Sequence, residues 1–178
     1  IDNLKHLKSA SGFRSEYAYD NLLYIVAGEV VAAVSGQSWE SFVEQFIFKP
    51  LQMTRCFAGP VPRSELNNIA QPHGIIEGQL TIIQRNQTYH KNSVMAAAGG
   101  IKCSVSDLLR WVDTQLNRGV YTLKSGKTIR LFSEQQSEAM WRPYTILPVS
   151  QSAKRRDNTN FKAYGLGWRL SDIHGFKV

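Results

Sequence analysis

Cysteine, histidine and long apolar runs are all scarce in these 178 residues, and each scarcity removes a class of function. Only two cysteines occur, Cys56 and Cys103, far apart and outside any Cys-x-x-Cys spacing. That excludes a cysteine-rich zinc module and leaves the redox state of the pair open. The four histidines, His6, His73, His90 and His174, show no HExxH or other ligand spacing, so each reads as a loop or packing histidine and no metal is expected. No run approaches the roughly 20 apolar residues of a membrane-spanning helix. A nucleophile elbow of the GxSxG type is also missing, because Gly36-Gln37-Ser38-Trp39-Glu40 lacks the second glycine. Ser125-Gly126-Lys127-Thr128 looks like the end of a phosphate loop, but Tyr121 stands where the upstream glycine is required, and a hairpin turn explains it better. Internal repeats and heptads are absent.

What remains is the composition of one globular domain. Hydrophobic residues make up 43% and charged residues 20%, so the chain can bury a real core and is not disordered. A formal net charge of +7 with a pI near 9.5 raises nucleic acid or an anionic surface as partners. The tight cationic cluster Lys154-Arg155-Arg156 sits among Gln, Ser, Asp and Asn, however, with no interleaved aromatics to stack bases. A basic soluble protein that binds no nucleic acid is the simpler reading.

Along the chain, residues 22–35 are apolar almost all round, with Glu29 the single charge, which predicts a helix made to be enclosed within a larger body. Gly36 is a plausible stop, and Ser38 caps a second helix whose Trp39, Phe42, Val43, Phe46 and Ile47 recur at helical spacing until Pro50. Residues 51–100 are rich in Gly, Pro, Asn and Gln, with the alternating run QLTIIQ the one strand candidate. Asn86-Gln87-Thr88 fits a glycosylation sequon, a triplet that also arises often by chance. Ser104 and Asp107 form a predicted capping box ahead of a third helix, YTLKSGKTIRLF reads as a hairpin turning at Ser125-Gly126, and Ser133 with Gln136 caps a helix reaching about Trp141. Residues 143–163 read as a polar loop, and YGLGWRLSDIHGFKV as two strands around Ser171-Asp172. The abrupt start at Ile1-Asp2-Asn3 and the finish at Gly175-Phe176-Lys177-Val178, inside a strand, create the expectation of a chain cut at both ends. A helix over 22–35 would then show incomplete burial, its apolar surface forming a patch or being covered by another copy in a homo-oligomer.

Tyr19 and Asn21 precede that apolar helix by a spacing that, in an extended segment, sends both side chains to one side. Taken alone, the pair reads as a packing tyrosine and a helix-capping asparagine. The surrounding residues change its meaning. The stretch FRSEYAYDNLLYIVAGEVVAAVSGQSWESFVEQFIFKPLQM resembles the beta-lactamase-related serine hydrolases: class C beta-lactamases, penicillin-binding proteins and allied esterases and peptidases. That family has a Tyr-x-Asn motif, a buried helix ending in Val-Ser-Gly, an aromatic capped helix and Pro-Leu-Gly-Met. The segments AAAGGIKCSVSDLLRWVDTQLNRG, GKTIRLFSEQQ and YGLGW follow in the family's order, with residues 60–95 and 143–160 the weakest parts.

The resemblance implies a helix-rich mixed fold: residues 1–163 as helical-domain portion of the DD-peptidase/beta-lactamase fold with short hairpins, and 164–178 as strands of the companion sheet. It implies a serine that attacks an amide or ester carbonyl to give an acyl-enzyme, without cofactor or metal. The substrate would be a small molecule or peptide: a beta-lactam, a D-amino-acid peptide or an ester. Tyr19 would be the base, a phenol of pKa about 10 that nearby lysine charge shifts toward phenolate. Asn21 would hold the substrate amide and orient the lysine. Gly99 and Gly100, in the Ala96–Gly100 loop, would border the substrate cleft, though a tight turn before the next helix explains them equally. A periplasmic, secreted or membrane-anchored location is suggested in the same way.

The departures are specific. No Ser-x-x-Lys occurs among the 178 residues, and neither does the family's Lys-Thr-Gly or His-x-Gly motif. The nucleophile is expected upstream of Ile1 and the third motif downstream of Val178. A relative that has lost its nucleophile, and only binds or senses, is the alternative. Gln52 replaces the glycine of Pro-Leu-Gly-Met, at a cost of about 1 kcal/mol if that position needs positive φ.

Overall fold

The computed structural model describes residues 2–13, 15–83 and 95–178. The Asn86–Thr88 sequon and His90 lie outside the described residues. The chain divides into two compact units, one of Asn21–Trp111 and one combining Ile1–Asp20 with Val112–Val178.

The Asn21–Trp111 unit opens with α1, Asn21–Ser35. Only Ile25 and Gly28 of this helix are buried, while Leu22, Leu23, Tyr24, Val30 and Val34 are exposed. The apolar helix therefore has the incomplete burial expected of it. Helix α2, Trp39–Val43, starts at Ser38, whose side chain accepts from the Ser41 N–H at 3.2 Å, and it continues as a π-helical turn over Glu44–Phe48. Behind this turn, Val43, Phe48, Leu51, Met53, Ala58 and Val61 form the unit's core. Strand β1, Cys56–Phe57, pairs antiparallel with β4, Lys102–Cys103, and sets Cys56 opposite Cys103 in a disulfide. Strands β2, His73–Ile76, and β3, Gln79–Ile82, form a hairpin that includes the predicted QLTI run.

Helix α3, Val105–Leu116, begins in this unit. Its predicted capping box is half formed. Ser104 Oγ accepts from the Asp107 N–H at 3.2 Å, but the Asp107 carboxylate accepts from the Arg55 N–H at 2.6 Å instead of reaching back. The Ser104 N–H, which a full capping box would pair with Asp107, donates instead to the Arg55 carbonyl at 3.0 Å. Both arms thus tie the start of α3 to the chain beside β1.

In the other unit, β5, Val120–Thr122, and β6, Thr128–Arg130, form the expected hairpin, with Gly126 at φ +82° in its turn. Helix α4, Glu134–Met140, has the full Ser133/Gln136 capping box and ends at Trp141. The segment expected as a polar loop over 143–163 is more ordered than that. It holds β7, Thr145–Ile146, helix α5, Gln151–Asp157, and the start of β8, Lys162–Tyr164. Ser150 caps α5 through the Ala153 N–H at 3.2 Å, and Asn158 in the left-handed region ends it. Strand β9, Arg169–Ile173, runs straight through Ser171-Asp172, so the expected turn is not there. The turn lies at His174-Gly175, at φ +48° and +85°, leading to β10, Phe176–Lys177. Two successive positive φ values make a tight hairpin turn whose twist suits the flanking strands. The four strands form one antiparallel sheet in the order β10-β9-β8-β7. Among the described residues, no single helix is long and apolar enough to cross a membrane.

Candidate functional site

Asn21 is the first residue of α1, one position beyond the place of a capping residue, which Asp20 occupies. Two turns further along, α1 meets the short helical turn Ala96–Ala98. A Cβ at Gly28 would stand 2.6 Å from the Ala97 Cβ, so only glycine lets the turn approach the helix this closely. Seven residues of α-helical rise separate Asn21 from this contact, about 10 Å. The Asn21–Trp111 unit therefore brings Asn21 and the Gly99-Gly100 turn to one helix.

Backbone geometry alone accounts for both glycines. Gly99 has φ +105°, and the N–H of Gly100 closes the turn on the Ala96 carbonyl at 2.9 Å. A Cβ on Gly100 would lie 2.5 Å from the Ala96 Cα. The turn is held from its other side by β4, whose Cys103 is bonded to Cys56 of β1.

Tyr19 belongs to the unit that contains β7–β10, and its side chain is largely exposed, at 69%. The neighbouring Tyr17 is half-buried, and its environment was not foreseen from the sequence. Its hydroxyl accepts from the Arg169 guanidinium at 3.3 Å. The guanidinium carbon stands 5.8 Å from the centre of the Tyr17 ring, and the Tyr17 and Tyr164 rings lie 5.0 Å apart, tilted by 55°. The Tyr17 hydrogen bond is the main reason Arg169 holds its proton more tightly than an ordinary arginine. The available signal was weak: one tyrosine two residues before the motif, and a Tyr and an Arg flanking the Gly-Leu-Gly-Trp run.

Nearby, Trp141 and Trp168 stack at 5.0 Å, and the Trp141 indole N–H donates to Gln115 at 3.1 Å. No group of three or more His, Cys, Asp or Glu able to hold a metal occurs among the described residues.

The sequence model of the family described as Beta-lactamase matches residues 1–176. The chain belongs to the beta-lactamase family.

Similar proteins agree. An unguisins hydrolase from Aspergillus violaceofuscus is 26% identical over 125 residues, covering 66% of this chain and 21% of that protein. A candidate D-alanyl-D-alanine carboxypeptidase from Escherichia coli O157:H7 is 23% identical over 179 residues, covering 88% of this chain and 35% of that protein. Among solved structures, the octameric penicillin-binding protein homologue from Pyrococcus abyssi superposes with a TM-score of 0.72 at 21% identity, covering 95% of this chain and 33% of that one. A class C beta lactamase gives 0.65 at 21% identity, over 95% of this chain and 39% of that one. At these identities the structures show a shared fold of helices and small sheets. The chain spans about a third or less of the length of the curated relatives it matches.

Proposed function

We propose that these residues supply the Tyr-x-Asn portion of a serine hydrolase that opens an amide or ester through a serine acyl-enzyme. The observation that carries the reading is Tyr19-Asp20-Asn21 standing directly at the start of α1 in a chain of the beta-lactamase family. On this reading Tyr19 takes the proton from a serine contributed by another part of a longer protein. Asn21 positions the substrate amide, and Gly99 and Gly100 leave room at the cleft rim. Residues up to 163 then belong to a helical-domain segment and 164–178 to strands returning to the companion sheet, except that β7 and β8 pair in one sheet with those strands. The substrate class is a beta-lactam, a D-amino-acid peptide or an ester, in keeping with relatives named for carboxypeptidase, lactamase and amidase activities. The exposed apolar residues of α1 are contacts for the remainder of that longer protein or for a second copy, as in a relative named as octameric.

The absence of Ser-x-x-Lys from these residues favours one competing reading, a binding or sensing relative without turnover. Substitution in the full-length protein separates the two. Tyr19→Phe removes only a hydroxyl from an exposed side chain, so folding survives while acyl transfer falls by roughly 10²–10⁴-fold. Unchanged turnover in Tyr19→Phe would remove Tyr19 from the mechanism. A full-length protein with no turnover of any amide or ester would favour the binding reading.

A further inference from the structure

We infer that Tyr17 and Arg169 are positioning residues for Tyr19: they peg the segment that carries it onto the β7–β10 sheet. This rests on Tyr19 acting in the proposed reaction. Residues 17–20 belong to no helix or strand, so they have no ladder of backbone hydrogen bonds to fix them. The position of the exposed Tyr19 side chain then depends on side-chain contacts made by its neighbours, and misplacement by an ångström or more costs proton transfer heavily. Tyr17 carries contacts that tie the segment to the sheet. Its hydroxyl takes a hydrogen bond from Arg169 at 3.3 Å, and its ring packs 5.0 Å from that of Tyr164. Arg169 and Tyr164 face each other across β9 and β8, so Tyr17 is gripped by one cross-strand pair.

The grip reaches far in sequence, since 152 residues separate Tyr17 from Arg169. Tyr17 and Tyr19 are two residues apart in the chain, so a fixed Tyr17 limits where the backbone can place Tyr19. Tyr17 needs no contact with substrate to matter; it acts by where it leaves Tyr19. A guanidinium suits this role because it can donate to the hydroxyl while its plane remains near the ring face.

The test uses the full-length protein with Tyr17→Ala, Tyr17→Phe and Arg169→Met, each alone and combined with Tyr19→Phe. Tyr17→Ala should lower kcat by roughly 10- to 100-fold with KM little changed. Tyr17→Phe keeps the ring against Tyr164 and should recover much of that loss. Arg169→Met guards against a Tyr17→Ala protein that does not fold, and it should lower kcat as well. In the Tyr19→Phe background, none of these changes should reduce kcat further by more than about twofold, because the group they position is already gone. Hydrogen exchange at the amides of residues 15–20 should quicken in Tyr17→Ala. A kcat unchanged in both Tyr17→Ala and Arg169→Met, beside a damaged Tyr19→Phe, overturns the positioning role and leaves the proposed reaction intact. A loss that multiplies fully with that of Tyr19→Phe overturns it too. Full turnover in Tyr19→Phe itself overturns both.

Discussion

Gln52 lies at φ +54°, between Leu51 and Met53, which are both buried. The fold needs a left-handed residue there so that the chain can turn back under the π-helical turn, with Met53 N–H donating to the Phe48 carbonyl at 2.8 Å. The sequence pattern pointed to this position because glycine is what the family pattern places there. Arg110 donates to the Gln52 carbonyl, and that bond is to the backbone, so it survives substitution. Gln52→Gly should therefore raise the free energy of unfolding by about 1 kcal/mol, less whatever flexibility the glycine adds to the unfolded chain. Denaturant titration at constant m-value measures it. Asn21 is a second single-residue case. Because it is the first helical residue and not the cap, Asn21→Ala in the full-length protein should leave the melting temperature within about 2 °C. Turnover should fall at least about tenfold through lost substrate positioning. The reverse pattern, stable turnover with a cap-sized stability loss of about 1 kcal/mol, would mark Asn21 as purely structural. At this scale the motif was legible, and its support was not. Nothing about Tyr17 in isolation announces Arg169, which lies 152 residues away.

At the level of elements, legibility followed local signals. Helix α2 is readable because Ser38 caps it and apolar residues follow at helical spacing, and α4 because Ser133 and Gln136 form its capping box. Helix α5 is hidden in the sequence although Ser150 and Asn158 mark its ends, because Gln151–Asp157 buries only Ala153 and leaves Lys154, Arg155 and Arg156 exposed. The last hairpin was placed too early for a different reason. Ser171-Asp172 has turn composition, but Asp172 uses its carboxylate to accept from the Asn160 and Phe161 N–H groups, both at 2.8 Å, which fixes it within β9. The Phe161 and Asn160 backbone bonds hold the Asp172 pKa below the ordinary carboxylate value. A depressed folded pKa contributes stability above the unfolded value of about 3.9, and that contribution disappears as pH falls through the folded value. Asp172→Asn should thus be less stable than the parent at pH 7, with the difference shrinking below about pH 4. A gap that stays constant down to pH 2 would show that the charge is irrelevant. The disulfide was illegible for a geometric reason: Cys56 and Cys103 are separated by 47 residues, and only the β1–β4 pairing brings them together. Closing a loop of that length is worth about 4 kcal/mol in the chain-entropy account. A Cys56→Ser/Cys103→Ser protein should show a loss of that order by chemical denaturation, and an unchanged midpoint would mean that the bond adds nothing to stability.

For the whole molecule, the informative fact is the mismatch between family membership and chemistry. The beta-lactamase family model runs through residues 1–176, yet no Ser-x-x-Lys lies among the 178 residues. Family order is legible in four stretches because each combines a turn, cap or aromatic pattern with its neighbour. The division into two units could not, since Val112 falls in mid-helix and no change of composition marks it. The central claim is that Tyr19 serves a serine held elsewhere in a longer hydrolase. Intact-mass and peptide mass spectrometry after incubation with a penicillin and a fluorophosphonate tests this most directly, applied to the 178-residue chain and to the full-length protein. The predicted result is no covalent adduct on the 178-residue chain and a single acylated or phosphonylated serine, outside these residues, in the full-length protein. A stable adduct on any serine of this chain would contradict it.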